Sequence, residues 1–115
     1  MADGTAMNLG SLLGRDVDAD ELRGRLEAVI DPELGVNIVD LGLVYNVEAR
    51  GGVARVLLTT TTPACPIGSY LTDQIRWALL DHPGILDVSV ELTHQPPWSP
   101  ELMSDLARRQ LGWPG

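Results

Sequence analysis

Apolar residues fall at helical spacing in three stretches of the chain and mark three strand-like stretches between them. Asp18 or Asp20 can cap a first helix, in which Leu22, Leu26, Val29 and Ile30 share one face, so the pattern predicts a helix ending near Ile30. Asp31-Pro32 stops it, because proline cannot continue a helix. Residues 34–41 read as a connecting loop with a short extended piece at Asn37–Val39. Leu43–Ala49 alternates as a strand, and Arg50-Gly51-Gly52 is a hairpin signal. Val53–Thr61, rich in β-branched residues, is the antiparallel partner.

A second helix is predicted from Pro66 to about Leu80, with Ile67, Leu71, Ile75, Ala78 and Leu79 on one face. Asp81-His82-Pro83-Gly84 ends it. Ile85–Leu92 is a third strand, with Leu86, Val88, Val90 and Leu92 on its apolar face and Asp87, Ser89 and Glu91 toward solvent. After the stiff spacer Gln95-Pro96-Pro97-Trp98, Ser99 as N-cap and Pro100 at the first helical position open a last helix. Its apolar side is Leu102, Leu106 and Leu111. The order α-β-β-α-β-α predicts an α/β (α+β) fold. Its form is a two-layer sandwich in which the helices pack on one face of a small mixed three-stranded sheet. Residues 1–16, Gly-rich and aperiodic, are expected to form a flexible tail, 17–112 the domain, and 113–115 a C-terminal tail.

Composition narrows the function classes. The chain has 115 residues and 44% hydrophobic residues, enough for one domain with a real core. Its net charge is -8, and every basic residue is arginine. No basic stripe is present to neutralise phosphates, which argues against a nucleic-acid partner and against an anionic membrane surface. A single cysteine excludes an internal disulfide and fits a reducing compartment. Met1–Arg15 lacks the basic-then-apolar pattern of a signal peptide, so the expectation is cytoplasmic. There is no dinucleotide fingerprint, no P-loop lysine and no Cys-x-x-Cys.

The chemistry left is concentrated at Thr59-Thr60-Thr61-Thr62-Pro63-Ala64-Cys65-Pro66. Cys65 falls where the N-cap of the second helix is expected, and Pro66 at its first position. The positive end of the helix dipole would lower the thiol pKa and raise its thiolate fraction. The alternative is a small buried hydrophobe at a turn. Two acidic segments accompany it: Asp31-Pro32-Glu33, and Asp40 set between apolar residues. Asp40 either accepts backbone N–H bonds in the turn leading to Leu43, or joins Asp31 and Glu33 beside Cys65 to handle protons or metal. His82 reads as a surface turn residue, and His94 as a rim residue beside the Pro-Pro-Trp spacer.

Asp31-Pro32-Glu33-Leu34-Gly35-Val36-Asn37-Ile38-Val39-Asp40-Leu41-Gly42-Leu43-Val44-Tyr45 resembles the signature of the metal–sulfur cluster assembly factors, small SufT-like and PaaD-like domains. Thr61-Thr62-Pro63-Ala64-Cys65-Pro66 resembles their second motif, and Pro96-Pro97-Trp98-Ser99-Pro100 with Met103-Ser104 their C-terminal one. Ala64 stands where relatives often have glycine, and His94 where they often have tryptophan. The resemblance implies a factor that assembles, carries or delivers iron–sulfur clusters without enzymatic turnover. Cys65 would be the cluster-facing thiol and metal ligand, with Thr62, Pro63, Asp31, Glu33 and Asp40 shaping its pocket. The implied cargo is an iron–sulfur cluster, held transiently. Since one cysteine cannot supply about four ligands, a homodimer bridging the cluster, carboxylate or histidine ligands, or an external thiol would have to complete the set. The implied partners are the assembly machinery and apo client proteins. Two other readings stand beside it: a non-catalytic adaptor that docks clients, and a thiol enzyme using Cys65 as nucleophile, for which no adjacent base is evident.

Overall fold

The computed structural model describes residues 17–61 and 67–112. The first helix, α1, runs Ala19–Leu26. Asp18 caps it, its carboxylate accepting the Asp20 N–H at 2.7 Å. Asp20 and Glu21 in the first turn and Arg23 and Arg25 in the last complement the helix dipole. The helix stops four residues short of the expected end at Ile30. Past Leu26 the backbone finds better partners than another helical turn. Ile30 bridges Asn37, Ile38 N–H donates to Val29 O, and Asp31 N–H donates to Val36 O. Val29 stays buried, whereas Ile30 is 45% exposed.

Three strands follow in the order β1-β2-β3: β1 Val44–Arg50, β2 Val53–Leu58 and β3 Asp87–Leu92. β1 and β2 are antiparallel, β2 and β3 parallel, so the sheet is mixed as expected. Gly51 and Gly52 turn the hairpin with φ of 60° and 82°, a pair that residues with a Cβ adopt only at a cost. β2 ends at Leu58, short of the expected Thr61, with one further bond beyond it from Thr59 N–H to Leu43 O.

The second helix, α2, spans Gly68–Leu80, and the third, α3, Asp105–Leu111. Leu22 and Leu26 of α1 and Leu71, Ile75 and Leu79 of α2 pack onto Val47, Ala54, Val56, Leu58 and Val88 of the sheet. The opposite sheet face carries exposed Glu48, Arg55, Ser89 and Glu91. On β3 only Val88 and Val90 turn inward; Leu86 is 76% and Leu92 46% exposed, against the alternation expected for them. Both leucines lie over glycines instead. A Cβ at Gly52 would come within 3.1 Å of Leu86, and one at Gly68 within 2.9 Å of Leu92.

The C-terminal region also departs from the expected pattern. Pro100–Leu102 is a short 3-10 turn, and α3 starts afresh at Ser104, whose hydroxyl accepts the Ala107 N–H at 3.2 Å. That second cap re-phases the helix. Met103 and Ala107 face the core, while Leu102, Leu106 and Leu111 are exposed. Among the described residues no helix is long and apolar enough to cross a membrane.

Candidate functional site

One end of the sheet brings together the start of β1, the ends of β2 and β3 and the start of α2. Val44 at the start of β1 pairs with Leu58 at the end of β2, which pairs with Leu92 at the end of β3. Gly68, the first residue of α2, lies under Leu92 at that same end. The chain leaves it at Thr61 and returns at Ile67. Thr62, Pro63 and Cys65 belong to the intervening stretch and lie outside the described residues.

The cap of α2 differs from the expected one. Ile67, not Cys65, holds that position, with helical φ and ψ of -73° and -11° and no side-chain cap bond. The first carbonyl used by the helix is that of Ile67, which accepts the Leu71 N–H at 2.9 Å. Ile67 packs against the core and Gly68 is buried, so core packing sets the start of the helix. The expected cap at Cys65 is thus corrected: Ile67, two residues on, caps α2.

Thr59 and Thr60, which lead into this stretch, are buried. Thr59 N–H donates to Leu43 O at 2.8 Å, extending the pairing beyond β2. The Thr60 hydroxyl lies 3.0 Å from His94 Nε2. His94, half-buried, is bonded to the strand exit, and it follows β3 by two residues.

Asp40 sits in the loop just before β1. Its carboxylate accepts the Asn37 side-chain amide at 2.6 Å, while Asn37 Oδ1 accepts the Asp40 N–H at 2.8 Å. The bond expected from a backbone N–H is thus supplied by the Asn37 side chain. Asp31 is buried, and its Oδ1 accepts the N–H groups of Glu33 and Leu34 at 2.8 and 3.1 Å. It holds the turn together as an acceptor, and Glu33 on that turn is exposed. Asp31, Glu33 and Asp40 thus share one loop, which Leu43 N–H to Ile38 O at 3.0 Å closes.

A C-terminal strap, residues 93–104, ties these parts together. Thr93 N–H donates to Leu58 O, Trp98 Nε1–H to Leu41 O at 2.7 Å, the Tyr45 hydroxyl to Pro96 O at 2.8 Å, and Ser104 N–H to Asp40 O at 2.8 Å. Gly42 permits the close approach: its φ is +80°, and a Cβ there would stand 2.4 Å from Leu102 O. On the same strap, a hydrogen bond from Ser99 holds the Glu101 carboxyl below its usual pKa, with help from a backbone bond and Arg108. Sequence reasoning passed over Asn37 and Gly42. The available signals were the Asn-x-x-Asp spacing and a glycine set between two buried leucines. The other histidine, His82, is not a free surface residue. Its Nε2 meets Glu21 of α1 at 2.7 Å, and its Nδ1 accepts the Gly84 N–H at 2.9 Å.

Among the described residues no group of three or more His, Cys, Asp and Glu side chains could hold a metal ion.

The model of the iron–sulfur cluster assembly protein family matches residues 19–92. The chain belongs to this family. A relative in Staphylococcus aureus (strain USA300), the Fe-S protein maturation auxiliary factor SufT, is 45% identical over 85 residues, covering 73% of this chain and 97% of that protein. An iron-sulfur cluster carrier protein of Deinococcus radiodurans is 43% identical over 72 residues, covering 63% of this chain but 21% of that longer protein. The crystal structure of a domain of unknown function, DUF59, from Bacillus anthracis superposes with a TM-score of 0.79 at 40% identity, covering 83% of this chain and 92% of that one. Family membership and fold therefore agree with the resemblance read from the three motifs.

Proposed function

We propose that the protein serves iron–sulfur protein maturation by handling a cluster, as cargo, through Cys65. The observation that carries this reading is the convergence at one sheet end. Thr60 bonds His94 and Thr59 bonds Leu43 beside the point where the Cys65 stretch begins, and the C-terminal strap bonds Leu41 and Asp40 in the loop before β1. Membership of the assembly family supports it. Thr62 and Pro63 flank the thiol in the sequence. Asp31 and Asp40 fix the neighbouring loop, and Glu33 presents a carboxylate on it.

Ligand arithmetic shapes the mechanism. Iron–sulfur clusters are usually held by about four protein ligands, mostly cysteine thiolates. One chain contributes a single cysteine. A cluster is therefore shared between two copies or completed by external thiols. Such a set is easily displaced by a client that offers a full cysteine site, and release to the client follows from that difference in ligand number. The protein acts without turnover of a substrate, in the cytoplasm, where the thiol stays reduced. Its partners are the assembly machinery and apo client proteins.

A second reading is favoured by the carrier match. There, a segment like this one makes up about a fifth of a longer carrier polypeptide. On that reading this domain docks clients beside a carrier and holds no cluster itself. Anaerobic reconstitution with ferrous iron and sulfide separates the two. The cargo reading expects a visible absorption band, with a native mass of two chains per cluster or of one chain with external thiols, and loss of the band in Cys65→Ala. A wild-type protein that stays colourless and monomeric while still binding a client supports the adaptor.

A further inference from the structure

We propose that the outer edge of β3, from Val90 to Leu92, takes an extended segment of a partner protein that sets a lysine or arginine opposite Glu91. β3 is an end strand of the sheet and pairs with β2 alone among the described residues. Along a strand the N–H and C=O groups of successive residues point alternately to one side and the other. The bonds from Asp87 N–H to Gly52 O and from Thr93 N–H to Leu58 O fix the phase, so Asp87, Ser89, Glu91 and Thr93 address β2. Val88, Val90 and Leu92 therefore turn their N–H and C=O groups outward. Val88 is already satisfied. Its N–H donates to the Asp87 carboxylate at 2.9 Å, its carbonyl accepts from the Arg76 guanidinium, and Arg76 and Asp87 pair at 3.5 Å. Val90 and Leu92 have no such partners among the described residues. The strap that follows leaves them open, because it turns toward β2 and β1: Thr93 bonds Leu58 O, His94 meets Thr60, and the Tyr45 hydroxyl bonds Pro96 O. Leu92 is also 46% exposed. Unpaired backbone groups beside an exposed leucine form a template for one more short strand, stopped at Val88 by Arg76 and Asp87.

Charge selects the occupant. Glu91 is exposed on the open face of the sheet, stands across from Leu57 of β2, and has no ion pair among the described residues. A second copy of the chain fits this edge badly. An antiparallel two-fold pairing uses both open residues only if Val90 of one copy meets Leu92 of the other. That register sets the two Glu91 side chains directly opposite each other in a close pair, where like charges destabilise. Centring the pairing on Val90 instead brings Leu92 against Val88, whose backbone groups are already taken by Asp87 and Arg76. A different strand with a cation at the central position turns the repulsion into an attraction. Apolar residues on either side of that cation lie along Val90 and Leu92 and cover the exposed leucine. The net charge of -8 draws such a basic segment toward the protein.

Binding at this edge needs no cluster, so the test uses the metal-free full chain, labelled with nitrogen-15 and followed by NMR. In the free protein the Val90 and Leu92 amides are expected to exchange with solvent at least about tenfold faster than those of Ser89 and Glu91. The probe is the capped peptide Thr-Val-Lys-Val-Thr, titrated to concentrations on the order of millimolar. The Val90 and Leu92 amides are expected to shift and gain protection as it binds. The same peptide with glutamate in place of lysine is expected to bind about fivefold more weakly. Glu91→Lys, at an exposed position, is expected to reverse that preference. Equal binding of the two peptides, or no response at Val90 and Leu92, overturns the proposal. So does protection of both amides in the free protein. Protection that grows with protein concentration would give the edge to a second copy, and protection independent of it to a segment of the same chain.

Discussion

Replacing Gly42 by alanine tests whether the C-terminal strap presses on the Asp40 loop as described. Gly42 has φ +80°, and an added Cβ would lie 2.4 Å from Leu102 O and 2.8 Å from its carbonyl carbon. Gly35, in the same loop, has φ +73° but nothing within 4 Å of the added atom. Both substitutions carry the left-handed backbone cost of an L residue, about 1–2 kcal/mol. Only Gly42→Ala also meets backbone, and forced overpacking adds about 1–3 kcal/mol. Gly35→Ala should therefore lose about 1 kcal/mol, and Gly42→Ala about 3 kcal/mol. Urea unfolding followed by far-ultraviolet circular dichroism measures both. For a slope of about 1–2 kcal/mol per molar, the extra loss lowers the Gly42→Ala midpoint by roughly a further 1–2 M. The strap also carries Trp98, bonded to Leu41 O, so its fluorescence should shift in Gly42→Ala and not in Gly35→Ala. Equal midpoints for the two variants would refute the close approach and the coupling built on it.

Other outcomes follow from the same geometry. Asp31→Ala leaves the Glu33 and Leu34 N–H groups without their acceptor and should cost about 1–3 kcal/mol by urea unfolding, with Asp31→Asn recovering most of it. Ala107→Leu, at a fully buried position, should destabilise by about 1–3 kcal/mol, whereas Leu106→Ala on the exposed side should change the midpoint little. Cys65→Ala should leave the circular dichroism spectrum unchanged, because the described core is made by α1, α2 and the sheet. An unfolded Cys65→Ala protein would show that Cys65 is a structural residue.

Much of the fold was legible because its signals are local. The Gly51-Gly52 hairpin and the Leu71, Ile75, Leu79 face of α2 follow directly from turn chemistry and helical period. The misreadings share a cause, which is that distant partners outbid the local pattern. Ile30 fits the helical period but pairs with Asn37. Leu86 and Leu92 fit strand alternation but cover Gly52 and Gly68. Ser99-Pro100 reads as a helix start, yet Ser104 caps α3, and its N–H bonds to Asp40 O. The site was legible as a set of motifs but not as a geometry. Nothing local in the sequence announces that His94 reaches Thr60, or that Asn37 rather than a backbone N–H meets the Asp40 carboxylate.

Client activation tests the central claim most directly. An apo iron–sulfur enzyme is incubated anaerobically with limiting ferrous iron and sulfide, alone or with catalytic amounts of wild-type protein or Cys65→Ala, and its recovered activity is followed with time. Cluster handling through Cys65 predicts that wild type accelerates recovery and that Cys65→Ala performs no better than the enzyme alone. Equal acceleration by the two proteins would contradict it.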